Sequence, residues 1–539
     1  RPELGGDQSM ALSALTSLKE AGMLLHARDV CARLAKPVVK QLPATRAFII
    51  TCDRPFAVER LLESMLRAGK LSQHNALFLI DDSREPANRA ANRELVEKFN
   101  LQSAKDMLYF GEDAQEALLS RLIEKLPAHS LGIRFLLDRA VWGGHKTYGR
   151  SRTLCLLLSV GFRALVMDDD IICQAMLPPM IEEGIGIGSG SMRKAAFYQS
   201  EEALAQSSRP ADIEPLSGHA SLLGSSFSQA LQTTNSGPLR ESQLLNVNAA
   251  LANILLPESP VIVTQCGSLG DPGTDGCHWG FFQSEDSLGR LAAAPHGITA
   301  ALENRLSWLG STRPNFYKMA FMSQLTGLDN SSLLPPYFPA FRGEDALFGA
   351  MLISVQRNSL ALEYPWCVPH RPVDDRSSSV RSLIPTHGSI NLFARYLTNN
   401  INYLDGTSPE YNLNCIANDA LRLSLRPDSS LLMDFRAELA GKQADQLATL
   451  QRQSSLCEKF QSAEMQEYFQ RNIAELQRVL GVAQTPARSD GALNLTEDEA
   501  LIQFRNAAKG FSAGLAGWVD MRRVAPDLVE AMIRSNQLR

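Results

Sequence analysis

Three times between residues 46 and 170, a short apolar run stops at carboxylates: RAFIITCD (46–53), NALFLIDD (75–82) and RALVMDDD (163–170). The segments between them carry helical periodicity. FAVERLLESMLRAG (56–69) is closed by Gly69, a second helix runs through about Phe99, and GRSRTLCLLLSVG (149–161) leads directly into the triple aspartate. Strands alternating with helices predict an α/β chain built on a parallel sheet. Ligands of such sheets lie beyond the carboxyl ends of the strands. Asp53, Asp81, Asp82, Asp168, Asp169 and Asp170 are all expected there. GIRFLLD (132–138) reads as one more strand.

The flanking regions have a different texture. Residues 9–36 read as a helix or helical pair, with Leu12, Leu15, Leu18, Leu24 and Leu25 on one face and Pro37 as the stop. Residues 181–260 are rich in Gly, Ser and Gln and read as loops and weak elements. SPVIVTQCG (259–267) is strand-like, and the glycine-rich SLGDPGTDGCHWG (268–280) follows it. Helical texture resumes from about residue 396, and residues 442–480 contain neither Gly nor Pro. TPARSDGALNL (485–495) reads as a linker, and Thr496 with Glu499 forms a capping box for a last helix. With 539 residues the chain exceeds one small domain. The expected division is a helical segment 1–40, an α/β domain 41–395 with an insert near 181–260, and a helical domain 396–539.

Bulk charge excludes little but directs the search. A net charge of −5 gives no reason to expect a nucleic-acid partner. No run of eighteen apolar residues predicts a transmembrane span, and the N-terminus lacks the charged-then-apolar layout of a signal peptide. Nine cysteines without a CxxC pair form neither a disulfide framework nor a zinc pattern, and suit a reducing compartment. The expected location is cytoplasmic, free or peripheral to the membrane.

Each candidate residue has a structural reading and a chemical one. Asp81 and Asp82, like Asp53, could cap a helix or contact a nucleobase or ribose. Three adjacent aspartates at the end of a buried strand repel one another, and the usual partner that makes this tolerable is a divalent cation, Mn²⁺ or Mg²⁺ for hard carboxylate oxygens. Glu344 and Asp345 in RGEDALFGAML (342–352) open an apolar helix, where acids favour the dipole or serve as a general base. His370, set between prolines in YPWCVPHRP (364–372), is structural or a ligand. His278 beside Trp279 carries the same two readings. Arg150 and Arg152 are solvated helix residues or paired donors for a diphosphate.

The order of these motifs resembles the GT-A nucleotide-sugar glycosyltransferases, the family-2-like branch in particular, over roughly residues 44–375. The resemblance implies a Rossmann-type mixed-sheet core flanked by helices, with the helical ends as additions. It implies that Asp53 and Asp82, with Asp81 and Asp169 beside them, contact the nucleotide sugar. Asp168 and Asp170 would form the DxD pair, with Asp170 the direct ligand of Mn²⁺ or Mg²⁺. His370 would be a third ligand or a diphosphate contact. Arg150 and Arg152 match the basic residues such enzymes place before the DxD strand. Asp345 would be the catalytic base, with Glu344 beside it. The implied reaction moves a sugar from a nucleotide-diphosphate donor to a hydroxyl of a saccharide, lipid-linked or protein acceptor, with inversion. The long stretch between DDD and GED departs from a compact member of the family. The helical ends are expected to serve homo-oligomerisation or docking. Three alternatives stay open. One is a haloacid-dehalogenase-like phosphatase, with Asp168 as nucleophile, Asp170 as acid/base and GDPGTDG (270–276) as its second acidic motif. Another is a nucleotidyltransferase, although no glycine-rich basic loop follows the first strand. The last is a non-catalytic interaction protein on the same core.

Overall fold

The computed structural model describes residues 8–373 apart from 22, 189, 191, 236, 246, 275–277 and 321–323, and then 396, 406–480, 497–535, 537 and 538. Thirteen strands join in one mixed sheet. They are β1 (Thr45–Thr51), β2 (Ala76–Asp81), β3 (Met107–Phe110), β4 (Arg163–Asp168), β5 (Met176–Leu177), β6 (Gly186–Gly188), β7 (Lys194–Phe197), β8 (Arg209–Pro210), β9 (Val261–Gly270), β10 (Ser307–Gly310), β11 (Asn315–Tyr317), β12 (Leu325–Asp329) and β13 (Leu360–His370). The main path runs β3-β2-β1-β4-β12-β9-β13-β11-β6. The pairings of β1 with β2 and β4, and of β2 with β3, are parallel. Strand β12 is antiparallel to both β4 and β9, and β13 is parallel to β9. Strands β1, β2, β3, β4, β9 and β13 therefore all point the same way. The sheet is mixed where strand–helix alternation alone predicts a parallel one.

The sheet is buried on both faces, which explains its continuous apolar runs. Along β1 and β2, Phe48, Ile50, Phe78 and Ile80 join one core, while Ala47, Ile49, Leu77 and Leu79 join the other. The first core is closed by helices from the C-terminal part of the chain. Leu413 and Ile416 of Pro409–Ser424, and Phe511, Leu515 and Trp518 of Glu497–Arg534, pack in the same cluster as the strand residues. The second core is closed by the helices Ala27–Leu34, Pro55–Ala68 and Pro86–Asn100 together with the 181–260 region. That region is more ordered than its composition predicts, with helices Pro215–Leu222 and Phe227–Thr234 burying Leu216, Leu222 and Phe227.

Two expectations are corrected. Residues 132–138 are not a strand; Ser130–Leu137 is a helix. It crosses the helix Glu497–Arg534 at very short range, since a Cβ on Gly132 would sit 2.3 Å from the Ala513 carbonyl oxygen, and one on Gly510 would strike Phe135. A short apolar run does not separate strand from helix by periodicity, and here tertiary packing decides. The third strand is instead Met107–Phe110, at the sheet edge, where Tyr109 N donates to Leu538 O at 2.9 Å. The N-terminal region is a helical pair, Gln8–Glu20 and Ala27–Leu34. Its leucine face is not buried: Leu12, Leu15, Leu18, Leu24 and Leu25 are all exposed. The linker 485–495 and Thr496 of the capping box lie outside the described residues. Among the described residues no helix is long and apolar enough to cross a membrane, and the eight described cysteines are free thiols.

Candidate active site

Strand register brings the acidic motifs to one level. Thr51 lies opposite Asp81 and Ile50 opposite Asp168, so β1, β2 and β4 end together. His370 at the end of β13 lies opposite Gly270 at the end of β9, and Ile171 bridges to His370. The chain order reverses at β1, with β2 and β3 on one side and β4 on the other. Such a switch point opens a crevice at the carboxyl ends of the flanking strands.

The three consecutive aspartates divide into different roles. Asp168 is the outermost, with its side chain 30% exposed and Oδ1 accepting from Arg152 Nη2 at 2.9 Å. Burial beside Asp170 raises its carboxyl above the ordinary range, against the pull of Arg152. Asp169 points inward, accepts from Thr51 Oγ1 at 2.6 Å and pairs with Arg54 at 2.9 Å. Burial pushes its carboxyl up to about 7. Fully enclosed, Asp169 ties β1 to β4 and is removed from the expected nucleotide contacts. Asp170 is held from two sides, by Arg54 Nη1 at 3.1 Å and by His370 Nε2 at 3.2 Å.

The aspartates after β1 and β2 show the same division. Asp81 is fully buried and accepts from Ser83 N, Asn92 Nδ2 and Tyr109 OH at 2.9, 3.0 and 2.7 Å. It is scaffold, contrary to the expectation of a nucleotide contact. Asp82 accepts from Arg150 Nη1 at 2.6 Å and from Thr147 Oγ1. Arg150 also donates to Leu137 O at 2.6 Å and Gln115 Oε1 at 2.8 Å. With its Nε, Nη1 and Nη2 all engaged inside the protein, Arg150 orients Asp82 and is not placed to meet a diphosphate. Asp53 sits in the left-handed region at φ 57°. Its Oδ1 accepts from Arg84 N and Glu85 N, both at 3.0 Å, at the start of the helix Pro86–Asn100. Burial works against its charge, but these bonds hold its carboxyl below the usual range.

Arg152 faces the other way along the crevice. Its Nη2 is committed to Asp168, while Nε and Nη1 are buried without a hydrogen-bond partner. Burial disfavours its charge, yet Asp168, Tyr337, Glu344 and Asp345 together raise its pKa. Glu344 and Asp345 open the helix Glu344–Val355. Positive φ at Phe341 (69°) and Gly343 (96°) turns the chain sharply into it. Glu344 is buried, and that burial, with Asp345 alongside, pushes its carboxyl up to about 7. Asp345 is only half-buried. Helix Tyr148–Leu158, which carries both arginines, is pressed against the approach to this turn: Arg150 N donates to Pro339 O at 3.0 Å, and a Cβ on Gly149 would lie 1.8 Å from Phe338 O.

His370 is 2% exposed. Its Nδ1 lies 2.8 Å from the Asp271 carbonyl oxygen, which only accepts, so Nδ1 carries the hydrogen. Burial opposes a second proton, but Asp170 raises the pKa of the ring. A lone pair on Nε2 facing a carboxylate oxygen at 3.2 Å is repulsive unless a proton or a cation lies between them. Among the described residues no group of three or more His, Cys, Asp or Glu side chains is placed to hold a metal. His278 stands apart, bonded through Nδ1 to Tyr468 OH at 2.8 Å.

Sequence reasoning overlooked Arg54 and the pair Asp271–Arg305. Arg54 adjoins Asp53 in the sequence, but its partners are about 116 residues away. Asp271 was visible only as part of GDPGTDG, and nothing local marks Arg305. No family model matches this chain, and no curated protein matches it significantly.

Proposed function

We propose that this chain is a glycosyltransferase that moves a sugar from a nucleotide-diphosphate donor to an acceptor hydroxyl, on a GT-A-like core. The observation that carries the reading is Arg152: its Nη2 pairs with Asp168 at the end of β4 at 2.9 Å, and the charges of Glu344 and Asp345 act on the same buried guanidinium. A donor-binding end and a proton-accepting end would then feel one buried cation.

The residues divide the work accordingly. Asp82, held by Arg150 and Thr147, and Asp53 face the donor nucleotide. Arg152 lends positive charge near the diphosphate. Asp345, the more open of the two acids, takes the acceptor's proton as its oxygen attacks the anomeric carbon from the opposite face. Glu344 supports it from the buried side.

A divalent cation fits this donor set. The carbonyl of Asp271 fixes the His370 ring so that Nε2 faces Asp170, the orientation that metal-ligating histidines take. Asp170 and His370 would hold the ion. Two protein ligands suit a cation that completes its shell with water and substrate phosphates. When bound, it would offset the charge developing on the leaving diphosphate.

The test is a thermal-shift screen against UDP-, GDP-, TDP- and CMP-sugars, each with Mn²⁺ and with EDTA. A ligand bound only by the folded state at a hundredfold excess over Kd stabilises it by roughly 2.7 kcal/mol. A metal-dependent shift with one nucleotide is expected. Asp345→Asn should keep that shift and lose turnover by a factor of roughly 10²–10⁴. No shift with any donor would overturn the reading.

A further inference from the structure

The loop after β9 and a strained arginine downstream share one feature: both bear on His370. Arg305 is buried, yet its backbone sits at φ 55°, the left-handed region that is strained for a non-glycine residue. Its guanidinium grips Asp271 twice, Nε to Oδ2 at 2.5 Å and Nη2 to Oδ1 at 3.1 Å. The same Nη2 donates to Thr274 O at 2.7 Å, and Asp271 Oδ1 also accepts from Gly273 N at 2.7 Å. Carboxylate, guanidinium and loop backbone are thereby locked into one unit. That unit exchanges two hydrogen bonds with His370: Asp271 N donates to His370 O at 3.1 Å, and Nδ1 of the ring donates to Asp271 O.

We propose that Arg305 and Asp271 are positioning residues that fix the imidazole of His370 for a divalent cation shared with Asp170. This rests on the transferase reading only for its metal. Asp271 holds the ring by its carbonyl, and Arg305 holds Asp271 by its carboxylate. The strain at Arg305 has a use on this account, because the same residue grips the Asp271 carboxylate twice and binds the Thr274 carbonyl. Outer residues of this kind change metal affinity roughly 10–100-fold when removed.

The test measures Mn²⁺ affinity by electron paramagnetic resonance on the nucleotide-free, full-length protein, with melting curves alongside. Arg305→Met is expected to weaken Mn²⁺ binding roughly 10–100-fold, and Arg305→Lys to restore part of it. The control is Arg193→Met, which breaks another ion pair on β13, Arg193 Nε to Glu363 Oε1 at 2.5 Å. It should lower the melting temperature and leave Mn²⁺ affinity unchanged. Unchanged affinity in Arg305→Met, or an equal loss in Arg193→Met, overturns the positioning role while leaving the transferase reading intact. Absence of Mn²⁺ binding by the wild-type protein also overturns the positioning role, and the donor screen then decides the transferase reading separately.

Discussion

At the scale of single residues, neighbouring acids differ more than their sequence suggests. Asp168, Asp169 and Asp170 are consecutive, yet one faces the crevice, one joins two strands and one is clamped between an arginine and a histidine. Glu344 and Asp345 split in the same way. The buried member yields a pH prediction. Glu344 titrates near 7 in the folded protein against an ordinary value of 4.5. Between those values the folded state holds more protons than the unfolded one, so stability falls as pH rises through that window. Urea unfolding at pH 5 and pH 8 should show a smaller loss for Glu344→Gln than for the wild type. Parallel losses would mean that Glu344 ionises normally.

At the scale of elements, legibility followed the strength of the local pattern. Strands β1, β2 and β4 were readable because four or five consecutive apolar residues are followed closely by acids, and the helix Pro55–Ala68 because Gly69 closes it at φ 80°. Strand β3 was missed because four residues carry almost no periodic signal. The helix Ser130–Leu137 was misread because its partner lies almost 400 residues away. The aspartates after β1, β2 and β4 could be placed from strand ends alone. Arg54 and Arg305 could not be assigned to their acids, since they meet them only through the topology of the sheet. Helix Tyr148–Leu158 offers a test of element packing. Gly149→Ala forces a methyl group into the Phe338 carbonyl, and overpacking of that kind costs roughly 1–3 kcal/mol. A lowered urea midpoint is expected as the helix that carries Arg150 and Arg152 shifts. An unchanged midpoint would show that the 337–339 backbone yields freely.

At the scale of the whole molecule, the helices Pro409–Ser424 and Glu497–Arg534 belong to the same core as the sheet, whereas Ala463–Leu480 packs in a separate cluster with Phe281 and Leu288. Trp518 is fully buried, donates through Nε1 to Leu334 O at 2.6 Å and packs in the cluster that holds Phe48 and Phe78. Arg46 of β1 pairs with Glu530 at 2.5 Å, and Arg522 donates to Ser332 O at 2.8 Å. Trp518→Ala should cost roughly 3–5 kcal/mol. Far-UV and near-UV circular dichroism should report one shared transition. Loss of the helices in a separate, earlier step would show that they are an independent unit. The placement of this helix also has a consequence for synthesis. Roughly 330 residues separate β4 from the helix Glu497–Arg534 that closes the outer layer over Ser130–Leu137 and Tyr148–Leu158, and a ribosome adding about 5–20 residues per second needs on the order of 16–66 seconds to bridge them. For that interval Phe135 and Leu136, against which Gly510 and Gly514 of the last helix pack, lack their final cover. The nascent chain must stay soluble with that apolar layer open, so its yield should depend on how well the cell shields unfinished chains as well as on the stability of the finished fold.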